Sequence, residues 1–337
     1  MNFKKIIFFL ALLSIIAIGM FLLNKAPSGM RDDAFLVEKG DSLRHIAGKL
    51  MDKNLIKNDK FFVYLAIIEG RSNIMTGKYK IYKGMSSRDI IKKMSAGDII
   101  RRKVTIPEGF NLYEVAEKLD ENKITDADSF LEHAFDQVFL QSIGIKHESA
   151  EGLLFPDTYI FNESEDARDI IVIMHKNFKN VLNQFNFSDK KIAGLNIYAI
   201  INIASLIEKE ARVHKERKYI SAVFHKRLNL GMRLDCDPSV KYGLKKFKDR
   251  LTYKDLKYDT QYNTYLHTGL PPTPICSPGK ESITAAINPA KSNYLYFVAR
   301  NDGSHYFSKT LKEHSRAVDY YQKGIRNGFN DRQNLQP

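Results

Sequence analysis

The chain has 337 residues, with 52 Lys and Arg against 39 Asp and Glu, a formal charge of +13. That length is a prior for about two domains, and 44% hydrophobic with 27% charged residues is the composition of a folded protein, which excludes a disordered one. Two cysteines, Cys236 and Cys276, without CxxC spacing, exclude a disulfide-rich scaffold and a cysteine zinc site. The excess of positive charge fits a nucleic acid, an anionic membrane, another polyanion, or simply a Lys-rich background composition.

Residues Ile6 to Leu23 form an uncharged apolar run. As a helix rising roughly 1.5 Å per residue it spans about 27 Å, close to a hydrocarbon core of about 30 Å. No other stretch is long and apolar enough, so a multi-span protein is excluded. Lys4 and Lys5 precede the run and put the N-terminus in the cytoplasm, although Lys25 and Arg31 follow it. The NKAPSGM that follows has no small-residue cleavage pattern, so the reading is an uncleaved anchor rather than a signal peptide. Residues after about Ala26 then lie outside the cytoplasm, which removes nucleic acid as a partner.

Three copies of one small unit follow. Aligned on Gly40, Gly84 and Gly109, each has an extended segment before the glycine and an amphipathic pattern after it. The apolar positions are Leu43, Ile46, Ala47 and Leu50, then Ile90, Ile91 and Met94 (with Ser87 at the first offset), then Leu112, Val115, Ala116 and Leu119. Ser42 and Ser86 stand where they cap the first two helices. Three unrelated strand-turn-helix units with generic patterning is the plainer alternative. The first copy, VEKGDSLRHIAGKL, resembles a LysM module, a βααβ unit that binds N-acetylglucosamine polymers. That resemblance implies a glycan-associated or structural region from Phe35 to about Asp98.

The segment from Ile197, NIYAIINIASLIEKEARVHKER, reads as one long helix. At roughly 100° per residue, Ile197, Ile200, Ile201, Ala204, Ile207 and Ala211 share one arc and Glu208 falls inside it, while Glu210 falls outside the main stripe. A carboxylate in an apolar stripe is costly unless paired, and burial favours its neutral form, the form a general acid needs. An ion pair with Arg212 or Arg217 explains the same residue without catalysis.

The run from Ala204 to Gly243, ASLIEKEARVHKERKYISAVFHKRLNLGMRLDCDPSVKYG, closely resembles the central motif of the endolytic murein transglycosylase family, the YceG-like or MltG proteins. EGLLFPDTYIF, from Glu151 to Phe161, and the block from Tyr262 to His314 resemble its flanking motifs in the right order. The resemblance implies cleavage of the β-1,4 bond between N-acetylmuramic acid and N-acetylglucosamine in nascent peptidoglycan strands. It implies a 1,6-anhydromuramic end and termination of strand growth. It assigns the catalytic role to the first Glu of EKE, Glu208, as acid and then base, so that no second carboxylate is needed. The expected substrate contacts are Glu151, Asp157, Arg217, Asp237, Tyr262, Asn263 and Tyr265, with capping or turn-holding roles as the alternative for Glu151 and Asp157.

The chain departs from the family pattern at Lys226, at Asp235 where glutamine is usual, at Cys236, and at Thr273 after GLPP. The two cysteines are expected to be free thiols. HExxH, GxSxG, Walker and GxGxxG motifs are absent, and the nine histidines show no ligand spacing, so no metal and no cofactor is expected. His214, His305 and His314 read as surface or groove residues.

The expected architecture is α+β: anchor 1–30, LysM-like subdomain 31–100, larger mixed catalytic domain 101–325, and a C-terminal tail 326–337. The expected placement is a single-pass protein of the bacterial inner membrane with a periplasmic catalytic domain. Its expected partners are glycan strands and peptidoglycan synthases. A catalytically silent glycan-binding scaffold is the alternative function, and the extracytoplasmic placement argues against a pyridoxal-phosphate lyase.

Overall fold

The computed structural model describes residues 3–185 and 194–325, so the expected tail 326–337 lies outside the described residues. The chain divides into two compact units. One comprises Met1–Lys103, Asn122–Thr125 and Ile160–Glu165, the other Val104–Glu121, Asp126–Tyr159 and Asp166–Pro337. Two short excursions, 122–125 and 160–165, therefore return to the first unit, which a division by sequence position alone does not capture.

The first unit opens with helix α1 (Phe3–Asn24), which buries no residue and is long and apolar enough to cross a membrane. Then come β1 (Asp33–Val37), α2 (Leu43–Asp52), α3 (Asp59–Ile68), β2 (Gly77–Ile81) and α4 (Ser87–Ser95), before the chain leaves along β3 (Arg101–Thr105). β1 and β2 pair antiparallel, with Phe35 opposite Tyr79. The strands and helices run in the order β1-α2-α3-β2. Ser42 accepts the His45 N–H, and Ser86 forms a capping box with Asp89, so both helices start where the serines stand. Gly40 and Gly84 take φ of 93° and 90°, which lets each strand turn directly into its helix. Ile46, Ala47, Leu50, Ile90, Ile91 and Met94 all point into one core with Phe35, Phe62 and Tyr79. Glu163, from the returning segment, pairs with Lys78 at 2.8 Å and Arg102 at 2.7 Å.

The second unit is mainly helical: α5 (Leu112–Glu121), α6 (Ala127–Ala134), α7 (Gln137–Ser142), then strand β4 (Thr158–Asn162) and α8 (Ala167–Leu182). β4 pairs with β3. Next come α9 (Ile197–Glu210), α10 (Arg217–Asn229), α11 (Asp237–Gly243), α12 (Lys280–Ile287), a hairpin of β5 (Tyr296–Ala299) and β6 (His305–Ser308), and α13 (Leu311–Lys323). The third glycine, Gly109, again precedes a helix whose buried face is Leu112, Val115, Ala116 and Leu119. Asn111 opens that helix by exchanging hydrogen bonds with Glu114. α9 packs between α10, α11 and α12 and buries Ile200, Ile201, Ile203, Ala204, Leu206 and Ile207. It ends at Glu210, where Ala211 turns extended, and a short 3-10 turn separates it from α10. The single long helix read from Ile197 to Arg217 thus stops at Glu210 and gives way to the 3-10 turn before α10. Nothing in ARVHKER breaks a helix by itself; Glu216, in the 3-10 turn, is held by the His305 backbone N–H at 2.9 Å and ring Nδ1 at 2.7 Å.

Phe35→Ala tests this core. Removing a fully enclosed ring should cost about 3–5 kcal/mol, and urea unfolding with hydrogen exchange should show the loss concentrated in the first unit.

Candidate active site

The last turn of α9 presents Glu208, Lys209 and Glu210 in three directions, about 100° apart. Glu208 is 8% exposed and faces Arg217, whose Nη2 lies 3.5 Å from its Oε1. Its Oε2 accepts the Gly279 N–H at 2.9 Å, at the start of α12. Arg217 also donates to Ser282 at 3.1 Å and pairs with Glu281 at 3.2 Å. The carboxylate in the apolar stripe is therefore buried as its pattern required, and its partner is Arg217 rather than Arg212. Glu108 stands over Gly279 so closely that a Cβ there would clash with its carboxyl. Burial, and then the Glu208 charge, raise the Glu108 pKa. Lys209 points a third way and donates to the Gly109 carbonyl at 3.0 Å.

Glu210 looks into an open cleft of about 950 Å³, with Asp237, Tyr265, Arg227, Tyr296, His305 and His314 among its walls. That volume is at the upper end for a small-molecule site and suits an extended ligand. Solvent reaches Glu210 through the cleft, but protein surrounds its carboxyl. Burial pushes its pKa up to about 7; the Asp237 charge adds to this, while the Cys236 hydrogen bond and His305 oppose it. The Cys236 thiol donates to Glu210 Oε1 at 3.3 Å. Opposite, the Tyr265 hydroxyl donates to Asp237 at 2.8 Å.

The cleft walls are held by buried polar anchors. Arg227 binds the carbonyls of Leu295, Arg233 and Leu234 and the Asp235 carboxylate at 2.7–3.0 Å, and its guanidinium lies 5.0 Å from the Tyr296 ring. Tyr296 stacks on His314 at 5.2 Å. Asp235 takes φ of 52°, a left-handed conformation that aspartate tolerates better than most residues. Thr264 Oγ1 accepts the Cys236 backbone N–H at 2.9 Å. Cys236 and Cys276 are both buried and free.

The expected substrate contacts divide. Asp237 and Tyr265 line the cleft, and Arg217 serves Glu208. Glu151 is fully buried; it accepts the Leu112 N–H at the start of α5 at 3.0 Å and the Tyr242 hydroxyl at 2.9 Å, so it caps and braces rather than touching a ligand. Asn263 is also fully buried and clamps the carbonyls of Leu256 and Tyr258 at 3.0 and 2.8 Å, which makes it a loop anchor. Tyr262 donates or accepts with Thr273 at 2.9 Å and packs on Tyr242, away from the cleft lining. Asp157 is exposed and holds Asn177 at 2.9 Å. Glu210, which the apolar stripe set aside, Arg227 and Tyr296 line this cleft with His305 and His314, which the sequence read as surface or groove residues; the cleft is assembled from segments far apart in sequence.

The YceG-like family model matches residues 35–320. A Bacillus subtilis protein named endolytic murein transglycosylase is 37% identical over 302 residues, covering 85% of this chain and 83% of its own length. The Streptococcus pneumoniae D39 protein of the same name is 29% identical over 314 residues, and there the match spans 84% of this chain and 57% of the relative. A crystal structure of a yceG-like protein from Listeria monocytogenes superposes with a TM-score of 0.56 at 33% identity, covering 85% of this chain and 99% of that one.

The two buried acids make stability depend on pH with a definite sign. Burial pushes Glu151 also to about 7. A carboxyl whose folded pKa lies above its unfolded value of about 4.5 stabilises fully below that value, and this is lost as pH rises to about 7. These two carboxyls should therefore contribute a loss of stability from pH 5 to pH 8, and Glu151→Gln should shift the measured slope toward greater stability at high pH by on the order of 1–3 kcal/mol in urea titrations against the wild type.

Proposed function

The chain belongs to the YceG-like family, and from that premise we propose that it is an endolytic murein transglycosylase anchored by α1, with Glu210 as its proton donor. The carrying observation is the placement of Glu210: a carboxyl with its pKa near 7, facing the cleft. A group with that proton affinity holds its proton near neutral pH and releases it readily, as general acid-base catalysis requires.

The reaction then runs on one carboxyl. Protonated Glu210 gives its proton to the oxygen linking C1 of N-acetylmuramic acid to C4 of N-acetylglucosamine. The C1–O bond breaks, and N-acetylglucosamine leaves with a 4-hydroxyl. The electron-poor C1 is covered by the carbonyl oxygen of the substrate's own N-acetyl group. Glu210, now a carboxylate, takes the proton from the C6 hydroxyl as O6 bonds to C1. The 1,6-anhydro ring closes, Glu210 is protonated again, and no water is consumed. Tyr265, Asp237 and the Tyr296 ring offer hydroxyl, carboxylate and aromatic surfaces to the flanking sugars. Orientation with the N-terminus inside places the cleft on the side where nascent strands lie, beside the synthases that would be its partners.

Glu208, the residue the motif resemblance pointed to, has a different environment. A cation and a backbone N–H hold its carboxyl, an arrangement suited to fixing α12 and the Gly279 turn against α9. Glu208 as the acid remains the second assignment, favoured by its place in the apolar stripe.

Product analysis by mass spectrometry separates them. Glu210→Gln should lower anhydromuramic products by about 10²–10⁴-fold with little loss of fold. Glu208→Gln should retain measurable turnover and lose stability instead. The reverse pattern overturns the assignment to Glu210 in favour of Glu208, and no anhydro product from the wild type overturns the reaction itself. The wild-type pH profile of kcat/KM should fall above about pH 7, where Glu210 loses its proton.

A further inference from the structure

The net charge is not spread along the chain. Residues 1–103 carry 20 Lys and Arg against 9 Asp and Glu, and the remaining residues carry 32 against 30. The positive excess thus belongs almost wholly to the part of the chain that includes the anchor. In the same part, α3 is apolar on two faces. Phe62, Leu65 and Ala66 fill the core of the first unit, yet Tyr64, Ile67 and Ile68 are 68%, 58% and 62% exposed. A helix that is apolar all round has a second apolar neighbour besides its own core. A groove of about 480 Å³ runs along this face, lined by Arg44, Asp59, Lys60, Val63, Tyr64 and Ile67.

The neighbour is indicated by α1. Lys57, just before α3, donates through Nζ to the Leu22 carbonyl at 2.8 Å, and the Arg88 N–H donates to Asn24 Oδ1 at 3.0 Å. Both contacts fall on the last turn of α1. The last turn of a span lies at the headgroup level, so the start of α3 lies there too. Exposed aliphatic side chains, a tyrosine and nearby lysine and arginine are the composition of a helix resting in that layer. A sugar-binding face would instead present convergent hydrogen-bonding side chains.

We propose that α3 lies in the headgroup layer of the membrane crossed by α1, with Tyr64, Ile67 and Ile68 inserted and Arg44, Lys57 and Lys60 on anionic lipid headgroups. The inference rests on the anchor reading above, and its test keeps the two apart. Full-length protein carrying Ile67→Cys or Ser14→Cys is labelled with an environment-sensitive fluorophore. Both native thiols are buried, so labelling of the wild type measures the background. Each labelled protein is reconstituted into phosphatidylglycerol-phosphatidylcholine vesicles containing nitroxide lipids.

At Ile67 we expect a blue-shifted emission and about twofold or greater quenching by a shallow nitroxide, reduced both in phosphatidylcholine alone and by Arg44→Gln, Lys57→Gln and Lys60→Gln together. Deep quenching at Ser14 with a water-like spectrum at Ile67 overturns the inference and leaves the anchor standing. Absence of quenching at Ser14 overturns the anchor and the inference with it. A response at Ile67 to soluble glycan strands but not to lipid overturns it in favour of a sugar-binding face.

Discussion

A helix advances about 100° per residue, so three consecutive side chains cannot share one neighbour. The second unit is organised around that constraint at the end of α9. Glu208 is fastened to Arg217 and the Gly279 N–H, Lys209 to the Gly109 carbonyl, and Glu210 to the Cys236 thiol. One turn thereby gathers the loop after β3, the start of α12 and the start of α11. A helix C-terminus carries partial negative charge, which makes it a poor place for two carboxylates. For Glu208 the difficulty is met by a cation and a backbone donor. For Glu210 no Lys or Arg pairs with it among the described residues, and burial pushes its pKa up to about 7, which favours the neutral form.

Local pattern carried the helices well and the site only in part. The faces predicted after Gly40, Gly84 and Gly109 are the faces that are buried, because an amphipathic repeat reports its own core. The apolar stripe put Glu208 on the packed face of its helix, where Arg217 and the Gly279 N–H meet its carboxyl. The burial of Glu210 is made by Cys236, Asp237, Tyr265 and His305, all contributed by later segments, so no property of α9 alone could reveal it. Glu151 and Asn263 stand in motif blocks, and each is wholly enclosed and hydrogen-bonded to backbone atoms, which gives both a part in holding the fold. The end of α9 was not legible locally: the 3-10 turn that follows it is tied through Glu216 to His305, 89 positions away.

The charge shows how a bulk quantity gains meaning once the fold divides it. Taken over the whole chain, +13 looks like background composition. Split near residue 103, it becomes a nearly neutral part and a strongly basic one that includes the apolar helix α1. Electrostatic attraction to lipid decays within about 10 Å in physiological salt, so such charge acts only when it is held at the surface. The contacts of Lys57 and Arg88 with the end of α1 would meet that condition if α1 spans the membrane as proposed.

Glu151 and Glu210 finally separate two properties that are easily confused. Burial is the largest cause for each, and each is pushed up to about 7. Yet Glu151 is sealed, with both of its donors on one oxygen, whereas Glu210 opens to a cleft large enough for a sugar chain. A perturbed carboxyl is therefore a candidate catalyst only when a reacting atom can reach it. Proton affinity singles out both glutamates, and access chooses between them. Replacing either acid changes the pH dependence of folding, because both pKa values are raised; only at the cleft can the proton also pass to a bound ligand.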